Sequence, residues 1–142
     1  MYIKVRADGS TVFPYSLSDF RAESPRTSYP ADVPEELLNG SGVFAVDVSS
    51  IPEFDQLTQE LTWTVVQSSS TRWTKQWVAK NLSAGEAGRR VRSYREHLLS
   101  ETDWTALSDV SMSEEMRSYR QALRDIPDQE GFPHSVVWPV TP

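Results

Sequence analysis

His97 and His134 are the only histidines in the chain, and cysteine is absent. Imidazole, thiolate and carboxylate are the usual metal ligands, so the supply of ligands is small. His97 and Glu101 stand four residues apart, which on a helix would put two ligands on one face. Zinc sites use three or four protein ligands, so no metal is expected here. A Ser–His–Asp triad is assembled in space and leaves no fixed order to search for. The chain lacks a Gly-x-Ser-x-Gly nucleophile elbow and a glycine-rich phosphate loop. Glu35-Glu36 and Glu114-Glu115 read as negative charge at helix N-termini, where the dipole favours it. No catalytic residue, cofactor or metal is expected, and the chain reads as non-enzymatic.

Binding chemistry is better represented. Trp63, Trp73 and Trp77 fall on two segments that alternate like strands, with Lys75 between the last two. With the loop Gln67 to Thr71 centred on Ser69, Val65 is expected opposite Trp73, Trp63 opposite Lys75 and Leu61 opposite Trp77. One face then carries three indoles around one ammonium, which can rest on an indole face. A small β core is one reading of these residues. A partner-binding surface is the other, because a two-stranded ribbon cannot cover three Trp and Trp is enriched among interface hot spots. Arg89, Arg90, Arg92 and Arg95 form a basic cluster. It reads as a solvated helix face, or as a contact for an acidic partner.

The elements that would hold these groups change period along the chain. Ile3–Val5 and Val12–Tyr15 flank Asp8-Gly9, a signal for a hairpin with a two-residue type I′ turn. That turn would set Val5 opposite Val12 and Ile3 opposite Pro14. Short helical turns are expected near Leu17–Ala22 and Pro34–Leu38, with Pro34 in the first turn, and a strand at Val43–Val48. From Ser83 the period becomes helical. Ser83 and Glu86 fit a capping box, followed by the stripe Ala84, Ala87, Val91, Tyr94 and Leu98. A second helix starts near Ser111 or Ser113, with the stripe Met112, Met116, Tyr119, Leu123 and Ile126, and Pro127 stops it. Val136, Val137 and Trp138 could form a short strand. The expected fold is α+β: a β-hairpin-rich domain over 1–82, then a helical hairpin with a short extended tail over 83–142.

Bulk properties narrow the partners. The formal net charge is -6 over 142 residues, so the chain offers phosphate backbones no electrostatic footprint and nucleic acid is not expected. The N-terminal segment lacks the apolar run of a signal peptide. No stretch approaches the roughly 20 apolar residues of a membrane helix. An apolar fraction of 38% is enough for a packed core rather than a disordered acidic tail.

The C-terminal part has an ordered set of words. Arg95-Glu96-His97-Leu98-Leu99 leads to Asp103-Trp104, then Leu107-Ser108-Asp109. Tyr119-Arg120-Gln121-Ala122-Leu123-Arg124-Asp125-Ile126-Pro127 follows. The end carries Gly131-Phe132-Pro133, Trp138-Pro139 and Pro142. From about residue 89 to 142 this succession resembles the phage tail assembly chaperone-like family. The resemblance implies a bacteriophage protein that binds the tail-fibre polypeptide stoichiometrically and assists its folding and trimerisation. It would act in the host cytoplasm during assembly and could remain in the virion. A trimeric fibre would offer three equivalent sites, a 3:3 complex. A permanent component of the fibre tip, without chaperone activity, is the alternative.

Bottom-up, the same words read mostly as structural devices. Asp103 or Thr102 caps a turn, and Trp104 fills the gap between helices or serves as a recognition point. Arg120 and Arg124, one helical turn apart, either pair with internal carboxylates such as Asp103, Asp109 and Glu130 or clamp a partner's carboxylate.

Overall fold

The computed structural model describes residues 1–142. In order it contains β1 (Tyr2–Val5), β2 (Thr11–Tyr15), α1 (Leu17–Glu23), α2 (Glu35–Gly40), β3 (Val43–Val48), β4 (Gln59–Gln67), β5 (Arg72–Asn81), α3 (Ala84–Glu101) and α4 (Glu114–Arg124). Short 3₁₀ turns follow each of the last two helices, at Asp103–Ala106 and Ile126–Asp128. The protein is therefore α+β, with the strands N-terminal and the long helices C-terminal. Its packing forms two compact units. One combines Met1–Pro52 with Thr62–Val78, and the other combines Glu53–Leu61 with Ala79–Pro142. The tip half of the β4–β5 hairpin thus belongs to the first unit and its base half to the second.

The first unit is built on a sheet of order β2-β1-β3-β5-β4. β1 runs antiparallel to β2 and β3, while β3 and β5 are parallel. In a flat sheet the outer strands would lie about 19 Å apart, four spacings of about 4.8 Å. Yet the rings of Phe13 on β2 and Trp63 on β4 are only 5.5 Å apart. The sheet is strongly curled. Cross-strand pairs Ile3–Phe44, Val46–Trp73 and Val48–Lys75 place these side chains on the face to which Trp63 and Trp77 also point. The opposite face is covered by the short helices. There Tyr15, Phe20, Leu38 and Val43 form a buried cluster, flanked by Tyr2, Val12, Leu17, Tyr29 and Val33.

The β1–β2 hairpin differs from the expected two-residue turn. Gly9 N–H donates to Arg6 O and Arg6 N–H to Ser10 O. Only Gly9, at φ 80°, takes the left-handed conformation, and Asp8 does not. This is a type I turn closed by a left-handed glycine, a longer loop that needs one positive φ instead of two. The register moves with it: Val5 pairs with Thr11 and Lys4 with Val12, not Val5 with Val12. Between Lys4–Val12 and Tyr2–Tyr15 the register shifts, because β2 spends one residue more than β1. The extra residue falls at Phe13-Pro14, where a proline without an N–H is tolerated.

At α1, Ser16 and Asp19 form the reciprocal capping box. The hydrogen bonds from the Ser16 side chain and then its backbone hold the Asp19 carboxyl below its ordinary range. Pro34 is the N-cap of α2, one place earlier than expected.

The second unit centres on α3 and α4. Ser83 Oγ accepts from Glu86 N–H as expected of an N-cap. The Glu86 carboxylate does not complete the box and instead pairs with Arg89 and Arg90. Val91, Tyr119, Leu123 and Ile126 are the buried centre, with Leu57, Leu98, Leu99, Met116, Phe132, Val136 and Trp138 packed around them. Ala84 and Tyr94 of the predicted stripe are exposed. α4 ends at Arg124, and Pro127 sits inside the following 3₁₀ turn. The expected strand at Val136–Trp138 is absent, and the segment is extended without a ladder. The Gln129 amide bonds both Val137 N–H and Val137 O, at 2.8 and 2.9 Å, which takes the place of a neighbouring strand. No helix is long and apolar enough to cross a membrane.

Candidate functional site

The aromatic hairpin of the first unit keeps its expected face but not its expected register. Ser68 N–H donates to Arg72 O and Leu82 N–H to Thr58 O. In an antiparallel ladder these bonds set Trp63 opposite Trp77 and Val65 opposite Lys75. The loop is therefore centred on Ser70, and the strands are slipped by two residues from the expected pairing. A slip of two leaves every side chain on its original face, whereas a slip of one would have reversed them all. That is why the three indoles and Lys75 still share one side.

Lys75 Nζ lies 4.3 Å from the Trp77 ring centre and 4.8 Å from that of Trp63. Each contact contributes roughly 0.5–1 kcal/mol at a partly exposed site. The ion pairs of this unit join Lys4 to Glu23 and Arg72 to Glu35 and Asp47, and none includes Lys75. The ammonium is left with two π faces and no carboxylate. Trp63 is 47% exposed. Trp73 and Trp77 are partly buried, and Trp73 Nε1 is buried without a hydrogen-bond partner. The four residues thus meet at one place but differ in access: Trp63 presents a surface, while Trp73 lies beside buried Val46.

In the second unit the motif residues act largely as fasteners. Arg120 is 6% exposed. Its guanidinium donates to Leu99 O at 2.9 Å, Thr102 Oγ1 at 2.6 Å and Asp103 Oδ1 at 2.8 Å. It ties α4 to the C-terminus of α3, where free carbonyls and the negative dipole end favour a cation. Arg124, one turn on, is exposed and does not join this clamp. Asp125 caps α4 and accepts from the Gln121 amide. Tyr119 and Leu123 are core. A Cβ on Gly131 would stand 2.2 Å from Ser135 O, so only glycine lets the chain turn back there. Phe132 lies under the Arg92 guanidinium, and Trp138 meets Tyr94 edge to face at 5.0 Å. Buried Pro133 and partly buried Pro139 complete the tail. The basic cluster is spent in the same way, because Arg89, Arg90 and Arg95 pair with neighbouring glutamates.

Trp104 is the exception. The gap-filling position expected for it is not where it lies: it is 60% exposed, and Leu107 is 57% exposed. The cause is local. Asp103–Ala106 is a 3₁₀ turn, with three residues per turn, so positions three apart stack on one side. Buried Thr105, whose hydroxyl bonds Thr102 O, faces inward and turns Trp104 out. Leu107 adjoins a shallow hollow that includes Val110, Met112 and Arg117. The i,i+3 spacing of Trp104 and Leu107 was the available signal for this pair, but the same spacing fits two residues on a buried helical face equally well. Trp104→Ser is expected to change folding stability by under about 0.5 kcal/mol, as for an exposed side chain. If the patch binds a partner, the same change weakens binding tenfold or more, measured by titration calorimetry.

His97 Nε2 and Glu101 Oε1 lie 3.6 Å apart as an exposed pair, and nowhere do three or more His, Asp or Glu side chains converge as a metal site would require. No curated protein and no solved structure matches this chain. Residues 88–142, which hold most of the α3–α4 hairpin and its pinned tail, match the model of the phage tail assembly chaperone protein family, a match that supports a tail-assembly chaperone role.

Proposed function

We propose that the chain binds the tail-fibre polypeptide of its phage stoichiometrically, assists its folding and trimerisation, and can stay bound in the finished particle. The family match over 88–142 carries this reading. Exposed apolar side chains support it, with Trp63 in the first unit and Trp104 and Leu107 in the second. Long β-rich trimers close through non-local contacts, so they fold slowly and expose strand edges while they wait. A binder that covers such edges suppresses their association. The work is done by binding energy alone and is repeated once per fibre subunit or tip.

Co-purification tests it. A tagged copy of this chain, produced with the fibre polypeptide, should retain the fibre through size exclusion at a constant molar ratio. Purified virions should carry the chain if it stays bound. Failure of the two proteins to associate in either order of addition overturns the proposal. Presence in virions together with normal fibre folding in its absence would instead make it a structural part of the fibre.

A further inference from the structure

The two edges of the sheet are not alike. β2 is short, carries Pro14 and breaks register against β1. These devices make an edge a poor template for another strand. β4 has none of them. It runs for nine residues, Gln59–Gln67, with the sequence Gln-Glu-Leu-Thr-Trp-Thr-Val-Val-Gln. It contains no proline and no lysine, and its one charge is at Glu60. A bare edge of this length and β propensity is an aggregation hazard unless something covers it.

The register specifies what the edge offers. Even-numbered residues of β4 bond β5, as the end bonds at Thr58 and Ser68 show. Trp63, Val65 and Gln67 therefore turn their N–H and C=O groups outward. Their side chains lie on the face of Trp77 and Lys75. The opposite edge reaches Trp63 through the Phe13 ring, and β2 forms no ladder with β4.

We propose that an extended segment of the fibre polypeptide pairs with the free edge of β4 at Trp63–Gln67 and sets an acidic side chain toward the unpaired Lys75 ammonium between Trp63 and Trp77. Charge complementarity selects this occupant. A second copy of the chain would bring another Lys75 to the same face and a second net charge of -6. A fibre segment bearing an aspartate or glutamate supplies the missing counter-ion. The proposal rests on the fibre-binding reading above and adds the place and the mode.

The test combines a variant with a measurement on the unaltered protein. Val65→Pro removes an outward N–H and no β4–β5 bond, because residue 65 faces away from β5. It should fold, shown by an unchanged far-ultraviolet spectrum, and bind the full-length fibre polypeptide at least tenfold more weakly. Lys75→Met keeps the stem between the indoles and should weaken binding at least threefold. In the unaltered complex, hydrogen exchange at the amides of Trp63, Val65 and Gln67 should slow at least tenfold. A complex that forms while those amides exchange as in the free chain overturns the strand pairing and leaves fibre binding intact. Unchanged affinity of Val65→Pro does the same, and unchanged affinity of Lys75→Met removes the acidic side chain. Protection of the three amides in the isolated chain, together with a dimer in sedimentation, would assign the edge to a second copy. Absence of any complex removes this inference together with the fibre-binding reading.

Discussion

Arg120→Ala is expected to lower the free energy of unfolding by about 3 kcal/mol, the largest effect of any polar substitution in the chain. Hydrogen bonds to a charged group contribute roughly 1.5–3 kcal/mol, and the lost stem leaves a cavity as well. The three acceptors are not equal. Asp103 is well exposed and can return to water, while the bond to Thr102 Oγ1 is buried and that to Leu99 O part-buried. Asp103→Ala should therefore cost about 1 kcal/mol or less, as partly exposed ion pairs do. Arg120→Lys should fall between the two, because a point ammonium cannot span the fork from Thr102 to Asp103. Urea unfolding of the three variants checks the order Ala, then Lys, then the Asp103 change. Equal losses for Arg120→Ala and Asp103→Ala would mean that the ion pair, not the α3–α4 tie, carries the effect.

Gly42→Ala should cost about 3 kcal/mol in the first unit, for two reasons that can be separated. Gly42 has φ 75°, where an alanine Cβ costs roughly 1–2 kcal/mol. In addition, that Cβ would stand 2.5 Å from Val5 O, and Val5 is bonded through its N–H to Gly42 O. The clash is with main chain and cannot be relieved by a rotamer. β1 would have to move away from β3 in the centre of the sheet. Gly9 provides the control, because it shares the positive φ, at 80°, with nothing within 4 Å of its Cβ. Gly9→Ala should cost about 1 kcal/mol and Gly9→Asn close to nothing, since asparagine tolerates the left-handed region. Gly42→Asn should remain costly. Thermal unfolding of the four variants decides it. A Gly42→Asn variant as stable as Gly9→Asn would show that φ alone matters.

Local signals are legible in the sequence where one principle dominates. Ser83 and Ser113, the second of the two starts expected for α4, cap the long helices because caps act within a turn of themselves, whereas α4 ends at Arg124, ahead of the 3₁₀ turn that holds Pro127. The face shared by Trp63, Trp73, Lys75 and Trp77 survived a wrong register because strand alternation has a period of two. The register itself depends on a Ser-rich loop in which several centres cost almost the same. Asp8-Gly9 marked the first turn but not its length, since Asp-Gly suits both a two-residue turn and a turn closed by one left-handed glycine. Sheet order was not legible, because the parallel β3–β5 pairing joins segments separated by an intervening strand and loops. Curling was hidden for the same reason, and it is curling that brings Phe13 to Trp63. The usual burial of large aromatics predicts an interior Trp104. Its exposure follows from a 3₁₀ turn fixed by Thr102, Thr105 and Arg120, three residues whose bonds no periodicity displays.

The α3–α4 signature is therefore mostly a frame. Arg120, Gly131, Gln129 and Trp138 hold a hairpin and its tail in one shape, while the side chains left over for contact are few. Trp104 and Leu107 stand outward in that unit, and Trp63 with the bare β4 edge does so in the other.

The most direct measurement is the yield of soluble, protease-resistant fibre trimer when the fibre polypeptide is synthesised with and without this chain at equal expression. Mainly insoluble or monomeric fibre is expected alone, and at least a fivefold gain in trimer with the chain, saturating at a fixed molar ratio. An equal trimer yield in both conditions would contradict it.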